Sequence, residues 1–340
     1  MIRQTLGALS VVILAGSQPV FGQSAPSTPN TTQAHCAAAK AAAGTEHATL
    51  YARFDSICSG TPQPARGQGR QGGDAGRGAA QGPRPTPPRE TWHHEPAKVF
   101  DNLYFIGTSV HNAWALQTSQ GLIIIDALYD YATKDEMVDG LRKLGLNPAT
   151  MKYLIISHGH GDHHGGAKFL QDEFAPRVVM GGPDWELVER TQNTPPPKRD
   201  MVAVDGQKIT LGDTTVTLYS TPGHTEGTFS MVIPVKDNGR PHLIATWGGT
   251  ALTPATPVQS LKAYADSAVK YRALLAKLGV DGMISNHSEF DNSVTKIDAL
   301  AARKPGERHP FLTGADSVRR YMIVVEEVAR AALVLPRPAQ

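Results

Sequence analysis

Apolar positions along the chain follow two alternating periods from Trp92 onward. Short, β-branched runs bounded by turn residues read as strands, and runs with apolar residues three and four apart read as helices. Leu103-Tyr104-Phe105-Ile106 and Ala113-Trp114-Ala115-Leu116 read as paired strands. Gly121 to Asp126 is a third strand ending in an aspartate, followed by helical spacing from Thr133 to Leu144. Tyr153-Leu154-Ile155-Ile156 is a buried strand. A helix from Gly166 to Asp172, a strand over 177–180 and a helix from Pro183 to Thr191 follow. Successive prolines in Asn193-Thr194-Pro195-Pro196-Pro197 require a loop. Strands are then expected at Thr214–Ser220, Thr228–Pro234 and His242–Trp247, with a turn at Asp237-Asn238-Gly239. Val258 to Leu278 has helical spacing, Met283-Ile284-Ser285 is strand-like, and Ala315 to Leu335 is a closing helix. Strands followed by helices, repeated twice, point to an α/β fold of two sheet halves with helices outside.

The stretch before Trp92 has a different texture. Residues 26–58 read as a small helical hairpin: Ala-rich sequence from Ala37 to Ala43 is broken by Gly44, and a second pattern runs through Leu50, Tyr51, Phe54 and Ile57. Cys36 and Cys58, the only cysteines in the sequence, stand at its two ends and are expected to form a disulfide. Residues 59–91 are rich in Gly, Pro, Gln and Arg, with almost no large apolar side chain, and read as a flexible linker. Residues 1–25 read as a secretory signal peptide: Arg3 supplies the positive start, Leu6 to Gly16 the short apolar run, and Val20-Phe21-Gly22 a cleavage site, with cleavage after Ala25 the alternative. Residues 92–340 are left as the principal domain. Export to the periplasm or beyond the cell follows as the expected location, in a compartment where a disulfide persists.

Charge narrows the range of partners. Lys and Arg number 33 against 31 Asp and Glu, a formal net charge of +2. Nothing in bulk electrostatics points to nucleic acid or an anionic membrane. After the N-terminal run there is no apolar segment of transmembrane length. A small-molecule substrate is the expected partner.

The chemistry gathers at the end of the strand over 153–156, where Ser157-His158-Gly159-His160-Gly161-Asp162-His163-His164 supplies four histidines and an aspartate. Imidazole and carboxylate are the ligands zinc takes when no thiolate is offered. His158 and His160, two apart on an extended segment, point to one side and can share an ion. Asp162 and His163 follow a glycine-permitted turn and can aim at a second. Thr221-Pro222-Gly223-His224-Thr225-Glu226-Gly227 places His224 at another strand end, where it can complete a set with His158 and His160.

These motifs resemble the H-x-H-x-D-H and T-P-G-H-T-x-G signatures of the metallo-β-lactamase fold superfamily, with a likeness running roughly from Trp92 to Leu335. The resemblance implies a four-layer αββα sandwich and two zinc ions, one held by His158, His160 and His224, the other by Asp162, His163 and His287, the last lying just past the strand at Met283–Ser285. It also implies that Asp126 holds the metal loop by hydrogen bonds and that Asp162 orients the nucleophile. His164 reads as a residue lining the pocket. The turn Thr246-Trp247-Gly248-Gly249-Thr250 departs from many relatives, which carry a metal-bridging aspartate or a cysteine where Thr250 stands. The all-histidine-and-aspartate set is most similar to the third subclass of the class B β-lactamases, although those carry a serine at Thr250 and a disulfide near the C-terminus.

The activity this implies is hydrolysis of a cyclic amide by metal-activated hydroxide. Two alternatives stay open: a zinc hydrolase of the same fold cleaving lactones, thioesters or other esters, and a binding protein that retains the fold without catalysis. The disulfide hairpin contributes no site residue and reads as a separate module, open to a role in binding a partner. His111 carries no spacing signal beyond a place near the expected cleft.

Overall fold

The computed structural model describes residues 29–59, 86–191 and 194–337. The expected signal peptide, most of the expected linker and Asn193 of the proline loop lie outside the described residues. Among the described residues, twelve strands form two sheets. The first has seven strands in sequence order: β1 (Ala97–Lys98), β2 (Leu103–Phe105), β3 (Trp114–Thr118), β4 (Gly121–Ile125), β5 (Met151–Ile155), β6 (Arg177–Gly181) and β7 (Met201–Ala203). It is antiparallel from β1 to β4 and parallel from β4 to β7. The second comprises β8 (Lys208–Leu211), β9 (Thr214–Ser220), β10 (Phe229–Asp237), β11 (Arg240–Trp247) and β12 (Gly282–Ser285), ordered β12-β11-β10-β9-β8.

Side-chain alternation along the strands explains the layers. Successive residues of a strand face opposite sides. Leu116, Ile123, Ile125, Ile155 and Val179 point inward and meet Val216, Leu218, Met231, Ile233 and Ile244 of the second sheet. Their neighbours Ala115, Ile124, Leu154 and Val178 point outward, against Leu141, Leu170 and Val188 of the helical segments Asp139–Lys143, Ala167–Phe174 and Gly182–Arg190. On the far side Val232, Ala245, Trp247 and Met283 meet the helices Val258–Leu278 and Ala315–Leu333. Three apolar interfaces separate four layers, the αββα sandwich. Because β4 and the end of β5 at Leu154 and Ile155 are covered on both faces, they read as unbroken apolar runs.

The Val258–Leu278 helix shows why the helical stretches were legible. Leu261, Tyr264, Ala265, Ala268, Tyr271 and Leu275 fall on one face and are buried, and Gly279 ends the helix in a left-handed conformation. The expected helix over 133–144 is wound differently: a π-helical turn spans Thr133–Val138 before an α-turn over Asp139–Lys143. β10 continues past the expected end at Pro234 to Asp237. Pro234 is tolerated because β9 pairs with β10 only as far as Val232, leaving no ladder bond for the missing N–H to make.

The N-terminal residues form the helix Thr32–Ala43 and two short turns, Ala48–Ala52 and Asp55–Cys58, joined by the Cys36–Cys58 disulfide. Cys36, Ala39, Leu50, Phe54 and Ile57 share one apolar cluster with Val318, Tyr321, Met322 and Val325 of the closing helix. Arg320 pairs with Glu46, and His35 with Glu327 at 2.6 Å. The hairpin is thus packed into the helical layer rather than set apart from it. The described end of the expected linker is also tied down: Arg89 pairs with buried Glu136 at 2.7 Å, and Trp92 Nε1 donates to Pro87 O at 3.0 Å.

The disulfide closes a loop of 22 positions. Replacing both cysteines with alanine is expected to lower the free energy of unfolding by about 3 kcal/mol, mainly by freeing the unfolded chain. Urea denaturation checks this, and the midpoint should fall by the corresponding amount. An unchanged midpoint would mean that the packing on the closing helix holds the hairpin unaided.

Candidate metal centre

The site lies where strands of both sheets end. Asp126 follows β4, the stretch from Ser157 to His164 follows β5, His224 follows β9, Gly248 to Thr250 follow β11, and His287 follows β12. Asp162, His163 and His164 sit on a short helical turn, Gly161–His164. Glycines permit the close approaches: a Cβ at Gly249 would overlap the His224 ring, and one at Gly165 would overlap the Gly161 carbonyl.

His158, His160 and His224 form one group, each offering a ring nitrogen within 4.8 Å of the others, and His160 Nδ1 lies 3.0 Å from His224 Nε2. Asp162 and His287 form a second group with His111, which the sequence places near the cleft without a ligand role. His163 is beside it: its Nε2 lies 3.3 Å from Asp162 Oδ2 and 3.1 Å from His287 Nε2. The His158 and His163 rings, 4.2 Å apart at their centroids, bring the two groups side by side.

Outer partners determine which nitrogens face inward. His158 Nδ1 donates to Gly248 O at 2.8 Å, and His224 Nδ1 donates to Ala251 O at 2.8 Å. His163 Nδ1 donates to Asp126 Oδ2 at 3.0 Å. With Nδ1 as donor, Nε2 of His158 and of His224 turns a lone pair toward the centre, the tautomer a metal requires, and Nε2 of His163 does so once its second proton has left. His158 Nε2 is buried with no hydrogen-bond partner in the structure. Nitrogen lone pairs converging on one another, with a buried orphan among them, suit a divalent metal ion and otherwise carry a desolvation cost. The residues therefore fit the metal that the motifs imply.

Asp126 takes the left-handed conformation at φ 60° and accepts from Ser157 N at 2.7 Å and Ser157 Oγ at 2.9 Å as well as from His163. It links the start of the histidine loop to the helical turn. Thr250 is buried and donates to Asn286 Oδ1 at 3.4 Å, while Asn286 Nδ2 donates to Gly248 O at 2.8 Å. This pair braces the carbonyl that orients His158. His164 is buried, with Nδ1 unpartnered.

Charge at the centre is concentrated on two groups. Burial opposes charge on His163, but the Asp162 and Asp126 carboxylates outweigh it and push the imidazole up to about 10. Burial would raise Asp162, but His163 beside it, with His111 and His287, holds its carboxyl well below the usual range. Burial pushes His224 down to about 3 and both His111 and His164 down to about 4, so these rings are neutral at pH 7.

A brace lies outside the predicted set. Asp184, at the start of the Gly182–Arg190 helix, accepts from Gly159 N at 2.7 Å, Thr225 Oγ1 at 2.7 Å and Gly227 N at 3.0 Å. One buried carboxylate thereby joins the loop of His158 and His160 to the loop of His224. The N-terminal hairpin also reaches the centre. Arg53 pairs with Glu289 at 2.6 Å, Phe54 meets the edge of Phe290, and Phe290 meets the His287 ring. The reading of the hairpin as a module apart from the site is corrected: it backs the turn that follows His287.

Comparison with known proteins agrees with this geometry. The model of the metallo-beta-lactamase superfamily matches residues 106–237. A subclass B3 metallo-beta-lactamase of Bradyrhizobium japonicum superposes with a TM-score of 0.59 at 28% identity, covering 67% of this chain and 90% of that one. An N-acyl homoserine lactonase of Agrobacterium fabrum is 30% identical over 135 residues, 36% of this chain and 50% of its own. A hydroxyacylglutathione hydrolase of Klebsiella pneumoniae is 28% identical over 114 residues, 34% of this chain and 39% of its own. The chain thus spans half or less of the length of these two curated relatives. No helix among the described residues is long and apolar enough to cross a membrane.

Proposed function

From a chain that carries a metallo-beta-lactamase superfamily domain, we propose an exported hydrolase that holds two zinc ions and opens the cyclic amide of a β-lactam. The observation that carries this reading is the paired donor array built only of histidine and aspartate, with Thr250 turned to Asn286. The likeness to a subclass B3 enzyme over 90% of that enzyme's length supports it. His158, His160 and His224 would hold one ion, and Asp162, His163 and His287 the other. Zinc supplies a Lewis acid for the carbonyl oxygen and lowers the pKa of water to about 7.

The chain's own residues do the rest. Asp162, kept ionised, accepts a hydrogen bond from the attacking water and so orients it. His160 and His224 are half-buried, whereas His158 and His163 are fully buried, so the cleft opens on the first pair. Tyr129 lies beside Gly161, with Tyr131 stacked on it at 5.4 Å, and would offer an apolar wall to the substrate. A second reading, cleavage of a lactone or thioester, draws on the lactonase and hydroxyacylglutathione hydrolase likenesses.

The test is turnover of a chromogenic β-lactam beside a lactone and a thioester, with and without chelator, with His158→Ala as control. Chelator-sensitive lactam cleavage, lost in the variant, is the expected result. Lactone or thioester cleavage without lactam turnover would move the assignment to the second reading.

Metal uptake should also move a proton. His163, pushed up to about 10, is protonated at pH 6 in the metal-free protein and must give up that proton to act as a ligand. Calorimetry in buffers of differing ionisation heat should show release of about one proton per chain at pH 6. His163→Ala should abolish it.

A further inference from the structure

We propose that His111 is a fourth protein ligand of the ion at Asp162, His163 and His287. The inference rests on the two-ion reading above and extends it.

The backbone delivers His111 to this place. His111 forms an isolated antiparallel bridge with His287. Asn112 N donates to Asn286 O at 2.9 Å and Ser288 N donates to Val110 O at 2.9 Å, locking the bridge on either side. Asn112 Nδ2 donates to Ser285 O at 2.8 Å, and Ser288 Oγ donates to Asn112 Oδ1 at 2.6 Å. Residues directly opposite one another in an antiparallel pair project to the same face. Whatever His287 reaches, His111 is therefore positioned to reach too.

Distances separate ligation from a simple hydrogen bond. His111 Nε2 lies 3.6 Å from Asp162 Oδ2, too far for a hydrogen bond. Four donors around a tetrahedral zinc ion, each at 2.0–2.1 Å, stand about 3.3 Å from one another. The neighbouring spacings follow that edge length: Asp162 to His163 is 3.3 Å, Asp162 to His287 is 3.5 Å and His163 to His287 is 3.1 Å. His111 adds a donor 3.6 Å from the same Asp162 oxygen and within 4.8 Å of that of His287, with its ring centroid 6.5 Å from that of His163. The ring packs edge-on to Tyr129 at 5.2 Å, which limits its rotation. An ion held by four protein donors keeps no open position, so the open position would belong to the ion at His158, His160 and His224.

The experiment titrates metal-free protein with Co²⁺, following visible absorption and competition with a chromophoric chelator. His111→Phe keeps a ring against Tyr129 and removes both nitrogens, and His111→Ala removes the ring. The expected result is two equivalents bound by the wild type. In both variants the second equivalent should bind at least about tenfold more weakly, since losing even an outer partner of a ligand costs ~10–100-fold. Its absorption should also lose the intensity of four-coordinate cobalt. Unchanged affinity for the first equivalent serves as the control for folding. Two equivalents bound by the variants with the second affinity and spectrum unaltered would overturn this proposal alone. A single equivalent bound by the wild type would overturn the two-ion reading and this proposal with it.

Discussion

Asp162→Asn is expected to lower kcat/KM by about 10²–10⁴-fold, the range typical of a lost acid–base or orienting group. Asp162 Oδ2 lies within 3.6 Å of ring nitrogens from His111, His163 and His287, so its carboxylate is the one negative charge shared by three imidazoles. An amide of the same shape loses that charge and turns an N–H toward lone pairs. His163 would lose part of what pushes it up to about 10, while its bond to Asp126 remains. Weaker metal binding at that position should accompany the lost turnover, while the His158, His160 and His224 group keeps its ligands. Steady-state kinetics with metal content measured on the same sample check both parts. Full activity with full metal content would remove Asp162 from the account.

Asp184→Ala is expected to cost about 4 kcal/mol of stability, because it strands two buried backbone donors at roughly 1–3 kcal/mol each and leaves Thr225 Oγ1 with Thr228 Oγ1 alone. The backbone donors are Gly159 N and Gly227 N. Two ligand loops lose their common anchor, so metal affinity at the His158, His160 and His224 group should fall together with stability. Burial already holds the Asp184 carboxyl above the usual carboxylate range, against the pull of the Thr225, Gly159 and Gly227 hydrogen bonds. Asp184→Asn keeps an accepting oxygen and should cost less. Chemical denaturation of the metal-free protein gives the stability change, and chelator competition gives the affinity. A variant as stable as the wild type would show that the loops hold their shape without the carboxylate.

The parts of the fold legible in the sequence are those where one physical cause dominates. β4 was readable because Leu122 to Ile125 are buried on both faces, and β5 because its end at Leu154 and Ile155 is buried likewise. The Val258–Leu278 helix was readable because its apolar residues keep one face. The edge strand β8, with Lys208 and Thr210 exposed, and the short β1 and β7 bury too little to leave a pattern. The Ser293–Ala301 helix was also missed; it carries Val294, Thr295 and Ile297, whose branched side chains favour strands in isolation.

The centre divides in the same way. His158, His160, Asp162, His163 and His224 stand in short motifs, and their spacing carries the signal. Asp184 could not be found, because its partners are 25, 41 and 43 positions away. Near the start of a helix, an aspartate reads as ordinary first-turn chemistry. His111 could not be found either: its neighbour His287 is far along the chain, and only the bridge between them reveals the pairing. The contact of Arg53 and Phe54 with the turn after His287 is likewise visible only once the hairpin has packed.

The most direct measurement is the zinc content of purified, folded protein, compared among wild type, His158→Ala and His287→Ala. The account predicts two ions per wild-type chain, and one in each variant, lost from a different position each time. One ion or fewer in the wild type, or content unchanged by both substitutions, would contradict it.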